Sequence, residues 1–376
     1  RTDFIYGLDG QLAEVRRESG RTDGDGADHG SSSGQRILQQ YEYGANGQIT
    51  GIIDGNRNRK EYGRDSWGRI TTVRYADGAE EGYEYTPAGK VGRTTDGNGN
   101  CVQYRYNSFG KISERIDQLG YKETFQYDEE GNLALHVDRD GRRLQRSCNI
   151  FGKPVYEKAV DAEGKNPCIS TWHYDSLGRV VRAVGNGHSY EYIYDEYGNL
   201  KEKRSSGRRL VSYTYDKVGQ IKEIKDPAGT CTCYEYDVLG RRSRIHNGDG
   251  LDVRYGYDAL DRIRSIRNGN GVETRYEYDG DGNISRMETK VGEEILLFFA
   301  YQYDGDGNRT AKTGSQVRAA APENMTEGSN ALDISYRYNV RGQLLEERRN
   351  GASVYYAYDR AGNRVWKEDA SGEIFY

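Results

Sequence analysis

The chain has 376 residues, a formal net charge of -5, 35% hydrophobic residues and 33 tyrosines against seven phenylalanines. Globular chains average roughly 45–50% apolar residues by a count that includes glycine, so one thick aliphatic core is excluded at this length. The mild negative charge gives no basis for a nucleic-acid or anionic-membrane surface, and regularly spaced tyrosines argue against the disorder that low hydrophobicity would otherwise suggest.

In chain order, an octet first appears at Phe4–Gln11 and recurs to the end: aromatic, any, Tyr, Asp, any, any, Gly, polar. Residues 21–35, rich in Gly, Ser and Asp, have no apolar period and read as an exposed insertion. From Gly47 the motif glycine returns at one constant interval, at Gly68, Gly89, Gly110, Gly131 and Gly152. A longer step leads to Gly178 and a slightly shortened one to Gly198, and the period resumes at Gly219, Gly240, Asp261 and Gly282. A stretch from Ala311 to Asp333 reads as a second insertion between the copies at Gly307 and Gly342, and Gly362 closes the series of sixteen. The chain opens in mid-repeat and stops at Phe375-Tyr376, where another octet would start, so it reads as a piece of a longer array.

Each octet has a physical reading, clearest in Tyr234-Glu235-Tyr236-Asp237-Val238-Leu239-Gly240-Arg241. Two tyrosines at i and i+2 share one face of a strand. Asp-x-x-Gly then reverses the chain, the Asp carboxylate accepting from backbone two residues on and Gly supplying a positive φ. An apolar residue usually follows two positions after the glycine, as in Ile49, Ile70, Ile221 and Ile284. Midway to the next octet comes a second turn, such as Asp117-Gln118-Leu119-Gly120 or Asp226-Pro227-Ala228-Gly229. One repeat is two short strands and two turns, and the whole chain is one array of that unit. Two copies are degenerate: Arg64 stands for the second tyrosine in one, and Arg146 and Cys148 replace both in another.

No catalytic, cofactor or metal site is assigned. The five histidines are scattered, His-Glu-x-x-His and Gly-x-Ser-x-Gly are absent, and the carboxylate pairs fall in turn slots repeated along the array. Asp279-Gly-Asp281-Gly-Asn283 and Asp304-Gly-Asp306-Gly-Asn308 resemble the start of a calcium loop, but position 12 holds Lys290 and Ser315 rather than Glu. They read as turns. Cys231 and Cys233 point to one face of a strand, Cys101 shares the repeat position of Cys231, and no Cys-x2-4-Cys knuckle exists, so the thiols read as small hydrophobes. The longest apolar run, Ile295–Tyr301, is far short of the ~20 residues a membrane helix needs and reads as a buried strand.

Octets such as Tyr192-Ile193-Tyr194-Asp195-Glu196-Tyr197-Gly198-Asn199 and Tyr356-Ala357-Tyr358-Asp359-Arg360-Ala361-Gly362-Asn363 resemble the YD repeat of Rhs proteins, over essentially the whole chain. That family includes bacterial polymorphic toxins, wall-associated proteins, shell components of insecticidal toxin complexes and teneurins. The resemblance implies a long β-sheet spiralling into a hollow shell around a C-terminal toxic domain. It also implies a closing Asp-Pro-x-Gly-Leu segment beside a self-cleavage site, and here the nearest match, Asp226-Pro227-Ala228-Gly229-Thr230, lacks the leucine and lies in mid-array.

The expected fold is all-β: tandem two-stranded repeats in one long, curved, spiralling antiparallel sheet. Physics alone leads the same way, because open sheets beyond about ten strands curl, split or flatten and strand twist disfavours flatness. Propeller blades need a repeat about twice as long as the one seen here, and a narrow β-helix needs an apolar interior that the Arg, Glu and Tyr positions do not supply. The expected function is non-enzymatic: a secreted or surface-exposed bacterial shell segment enclosing a toxin domain or other polypeptide cargo, with further repeats of the same protein as partners. The alternative is an adhesion module holding glycans or a cell-surface partner, and a third reading, an enzyme, would need a cleft in the 311–333 insertion.

Overall fold

The computed structural model describes residues 2–18, 35–316 and 330–376. Among these residues there are thirty-three β-strands and no helix, and all the strands belong to one antiparallel sheet. Strands pair with their sequence neighbours: Thr2–Tyr6 with Leu12–Glu18, Leu12–Glu18 with Gln35–Tyr43, and Gln35–Tyr43 with Ile49–Asp54. The all-β repeat fold expected from the sequence is the fold found.

The octet turn explains this meander. At Asp237, the Gly240 amide donates to the Asp237 carbonyl at 2.9 Å and the Asp237 amide to the Arg241 carbonyl at 2.8 Å. The Asp237 carboxylate Oδ1 accepts from the amides of Leu239 and Arg241, each at 2.9 Å. Gly240 has φ 78°, and the pairing slips by one residue between Glu235 and Tyr236. This is a tight turn closed by a bulge whose glycine is left-handed, the three-residue hairpin connection. Every motif position from Gly10 to Gly362 has positive φ, including Asp261 at 63°. An acidic residue tolerates that region because its short side chain bonds locally.

The second turns come in two forms. Asp117–Tyr121 repeats the octet frame, with Gly120 donating to the Asp117 carbonyl at 3.0 Å. Asn186-Gly187 and Asn350-Gly351 are two-residue loops with positive φ at both positions, joining Gly185 to His188 and Arg349 to Ala352. Two left-handed residues match the strand twist in the tightest hairpin. The shorter loop accounts for the shortened steps from Gly178 to Gly198 and from Gly342 to Gly362.

A single sheet layer has no second layer to cover it. Only Val73, Ala79 and Ile334 are buried hydrophobic residues among those described, and most tyrosines are half-buried. The Ile295–Tyr301 run lies within strand Glu294–Tyr303, and its residues are half-buried rather than buried, with Ile295 exposed. Cohesion therefore rests on strand pairing and polar contacts more than on a core.

The chain forms two compact units: residues 1–85, 93–100 and 256–376 in the first, and 86–92 with 101–255 in the second. The first insertion falls on 21–34, outside the described residues, while Gln35 already opens a strand. The second narrows: Arg309–Gln316 and Asn330–Tyr338 are paired strands, leaving 317–329 outside the described residues.

Replacing Gly240 by Val places a β-branched side chain at φ 78° and should destabilise the protein by about 1–3 kcal/mol. Gly240→Asn should cost much less, since Asp261 holds the same conformation. Urea midpoints measure both, and equal midpoints for the two variants would contradict the turn assignment.

Candidate functional site: tyrosine staples and a turn-on-turn seam

A strand that leaves a bulged turn begins with backbone groups that its neighbour on the other side does not reach. The Leu12–Glu18 strand pairs with Gln35–Tyr43 only from Glu14 onward, so the Leu12 carbonyl lies past the last pair. The second tyrosine of the next octet supplies the donor: Tyr43 Oη to the Leu12 carbonyl, 2.8 Å. The same bond runs from Tyr85 to Ile70, Tyr106 to Val91, Tyr127 to Ile112 and Tyr236 to Ile221, at 2.7 to 2.9 Å. It recurs with the acceptor two residues after the preceding motif glycine up to Tyr338, which donates to the Arg309 carbonyl. In the degenerate copy Arg64 takes the place of tyrosine and donates to the Ile49 carbonyl at 3.0 and 3.2 Å. A long cation with N–H donors replaces a phenol. Each staple ties one repeat to the one before it, which the shared strand face of the two tyrosines did not specify.

The residue after the motif glycine works in two ways. Arg69, Arg179, Arg241 and Arg262 turn back on their own Asp, Nε to Oδ2 at 2.7 Å in each case. Lys111 and Gln220 instead reach forward to the carbonyls of Gly131 and Gly240 in the next turn. Both kinds can cover the following tyrosine: the Arg262 guanidinium lies 4.2 Å from the Tyr278 ring centre and the Lys111 ammonium 5.2 Å from that of Tyr127. Cation–π attraction favours that placement.

Within the first unit, turns far apart in sequence lock together. Asn56 Oδ1 accepts from the Gly305 amide at 2.7 Å, Asp306 Oδ1 accepts from the Gly55 amide at 2.8 Å, and Asn56 Nδ2 donates to Asp304 at 3.1 Å. Asn98 repeats the pattern two repeats on, donating to Asp359 Oδ2 at 2.9 Å and accepting from the Ala361 amide at 3.2 Å. Between them Arg341 pairs with Asp77 at 2.7 Å and stacks 4.7 Å from the Tyr75 ring centre. Arg36 pairs with Asp281, and Arg17 donates to the Asp281 carbonyl at 2.6 Å. Second turns of early repeats thus sit on octet turns of late ones. The approach needs glycine: a Cβ on Gly55 would lie 2.2 Å from the Gly305 carbonyl oxygen, and one on Gly97 2.1 Å from that of Arg360. The Asp-Gly-Asp sequences that resemble calcium loops are part of this seam, their carboxylates engaged by turn amides, Asn56 and Arg36.

The seam turns carry polar or small residues just before the motif glycine: Asp281, Asp306, Arg341 and Ala361. In the second unit the same slot holds Ala88 and Glu130 but otherwise Phe109, Phe151, Leu177, Tyr197, Val218 and Leu239, these six all exposed, with Phe109 at 85%. These six apolar side chains at turn tips are left uncovered.

The teneurin YD-shell family model matches residues 153–304, and the RHS repeat model matches 43–80 and 106–143. The chain belongs to the Rhs/YD-repeat family. Its fold is that of a stretch of the Tc holotoxin pore of Photorhabdus luminescens, with TM-score 0.73 at 16% identity, covering 100% of this chain and 23% of that one. TcdB2–TccC3 gives TM-score 0.72 at 16% identity, covering 100% of this chain and 24% of that one. The same protein without its hypervariable C-terminal region gives 0.72 at 15%, with the same coverage. The YD-repeat chain therefore spans about a quarter of the length of these solved chains. A search of curated protein sequences finds no match. The Rhs/YD-repeat fold is a structural shell fold, and the tyrosine, aspartate and glycine of the octet are its framework.

Both the staples and the turns can be tested by unfolding. Tyr236→Phe removes the donor to the Ile221 carbonyl and should lower stability by about 0.5–1.5 kcal/mol; an unchanged urea midpoint would show that the staple contributes nothing. Acid tests the turns. The hydrogen bond from Arg241 holds the Asp237 carboxyl below its ordinary range, and the backbone bond from Arg179 does the same for Asp175. A depressed folded value means the contribution is present above the unfolded value, about 3.9, and is lost as pH falls through the folded one. The melting temperature should stay level from about pH 7 to 5 and drop below about pH 4. A melting temperature that holds or rises on acidification below that point would contradict the linkage.

Proposed function

We propose that this chain is a length of shell wall around a polypeptide cargo, its sixteen repeats acting as one array. The observation that carries the reading is the seam of the first unit, where Asn56 and Asn98 fasten one edge of the sheet to turns some 250 residues later. A sheet whose row of strand-end turns is fastened to a later row of turns can enclose space. Half-exposed faces rich in Arg, Glu and Tyr suit a wet lumen holding a loosely packed chain rather than a filled core. The names of the solved relatives, a holotoxin and a protein with a hypervariable C-terminal region, fit a toxin domain as that cargo. The same likeness supports secretion to the bacterial exterior.

The uncovered apolar turn tips of the second unit support a wall that continues: further repeats of the same polypeptide would cover Phe109, Phe151 and Tyr197 as seam turns cover one another. The adhesion alternative, with glycans or a cell-surface partner, has no observation among the described residues in its favour.

The test is cryo-electron microscopy of the polypeptide as its host makes it, with limited proteolysis alongside. A hollow particle containing a protease-protected segment is expected. A solid particle of ordinary protein density, with no protected segment, would overturn the shell reading.

A further inference from the structure

Most polar clusters in this molecule repeat with the array, and repetition marks them as framework. One does not. Strand Cys231–Tyr236 pairs with strand Ile221–Lys225, placing Glu223 directly opposite Cys233 and Lys225 opposite Cys231. Cys231 and Cys233, two apart on the strand, share a face with Glu223. The two sulfurs are 4.0 Å apart, and one ligand atom from each of the three residues lies within 4.8 Å of the others, all half-buried. Cysteine occupies both of these strand positions in this repeat alone; the corresponding pairs elsewhere include Arg59 and Glu61, Cys101 and Gln103, and Lys122 and Thr124.

Geometry separates the two chemistries open to such a pair. Residues two apart on an extended strand have Cα atoms about 6.6 Å apart, at the far end of the range a disulfide spans, and their side chains run parallel rather than toward each other. A tetrahedral zinc ion with bonds of about 2.3 Å to sulfur holds two sulfurs about 3.8 Å apart, close to the spacing found. Two thiolates and a carboxylate around a divalent cation leave one net negative charge, which the Lys225 ammonium beside Cys231 offsets. His246, opposite Cys233 on its other side, has Nε2 3.2 Å from Glu235 and is not one of the clustered ligands, so the fourth position falls to water.

We propose that Glu223, Cys231 and Cys233 bind one thiophilic divalent cation, with zinc the natural occupant, clamping two adjacent strands of the wall. Sequence spacing alone gives no sign of such a trio, because Glu223 lies across a second turn from the two cysteines.

The test uses the whole chain, reduced and stripped of metal. Titration with cadmium should give a saturable thiolate-to-metal absorption band at one equivalent, displaced by zinc, and zinc should slow alkylation of Cys231 and Cys233 at least tenfold. Cys231→Ser and Cys233→Ser should abolish the band, Glu223→Gln should weaken cadmium binding at least tenfold, and changing Cys101, Cys148 and Cys168 together to Ser should leave it intact. No saturable band, a band that survives in Cys233→Ser, or unprotected alkylation in the zinc-loaded unmodified chain would overturn the proposal. The alkylation result decides the matter even if a variant folds poorly.

Discussion

Every strand of this protein must find partners for its backbone groups without the help of a thick core, and that constraint shapes the molecule. Where two strands are joined by a bulged turn, pairing ends early and carbonyls such as that of Leu12 are left over. Unpaired buried or half-buried acceptors cost free energy, and the array meets this at a fixed place with a fixed group, the hydroxyl of the second octet tyrosine. The excess of tyrosine over phenylalanine follows from this. Phenylalanine packs as well but cannot donate, and Arg64 shows that a donor without the phenol ring can fill the position.

The same logic extends from one repeat to the next and then to turns remote in sequence. Asp caps the amides of its own turn, and the following Arg, Asn, Lys or Gln either closes that turn or bonds to the next one. In the first unit, the Asn56 amide accepts from Gly305 and donates to Asp304, and the Asn98 amide accepts from Ala361 and donates to Asp359. Glycine appears at Gly55, Gly97 and Gly305 because backbones approach too closely there for a Cβ. Turns outside that seam are free of this demand, and the slot before their motif glycine ranges from Asp9 and Ala88 to Phe109 and Leu239.

Much of this was legible in the sequence, and the reason is repetition. A constant period with Asp and Gly in register reports turn chemistry that is local and independent of context, so strands, turns and the left-handed positions could be placed from the octet. What local chemistry does not carry was not legible. The partner of Tyr43 is a carbonyl 31 residues away, and that of Asn56 is a turn 249 residues away. The Asp-Gly-Asp sequences at Asp279 and Asp304 are the turns they read as, but spacing gave no sign that their tips belong to the seam. Glu223 gave no signal because strand register, not spacing, brings it to the cysteines. The second insertion was drawn too wide, since a largely polar strand such as Arg309–Gln316 shows no apolar alternation.

The central claim is that polar turn-on-turn contacts, rather than a hydrophobic core, hold distant parts of this sheet together. A double-mutant cycle across the seam tests it most directly, using Asn98→Ala, Asp359→Ala and the double variant in urea unfolding. Asn98 donates to Asp359 at 2.9 Å while Asp359 also caps its own turn, so the cycle isolates the seam term. The account predicts a favourable coupling of at least about 0.5 kcal/mol. Strictly additive effects would contradict it.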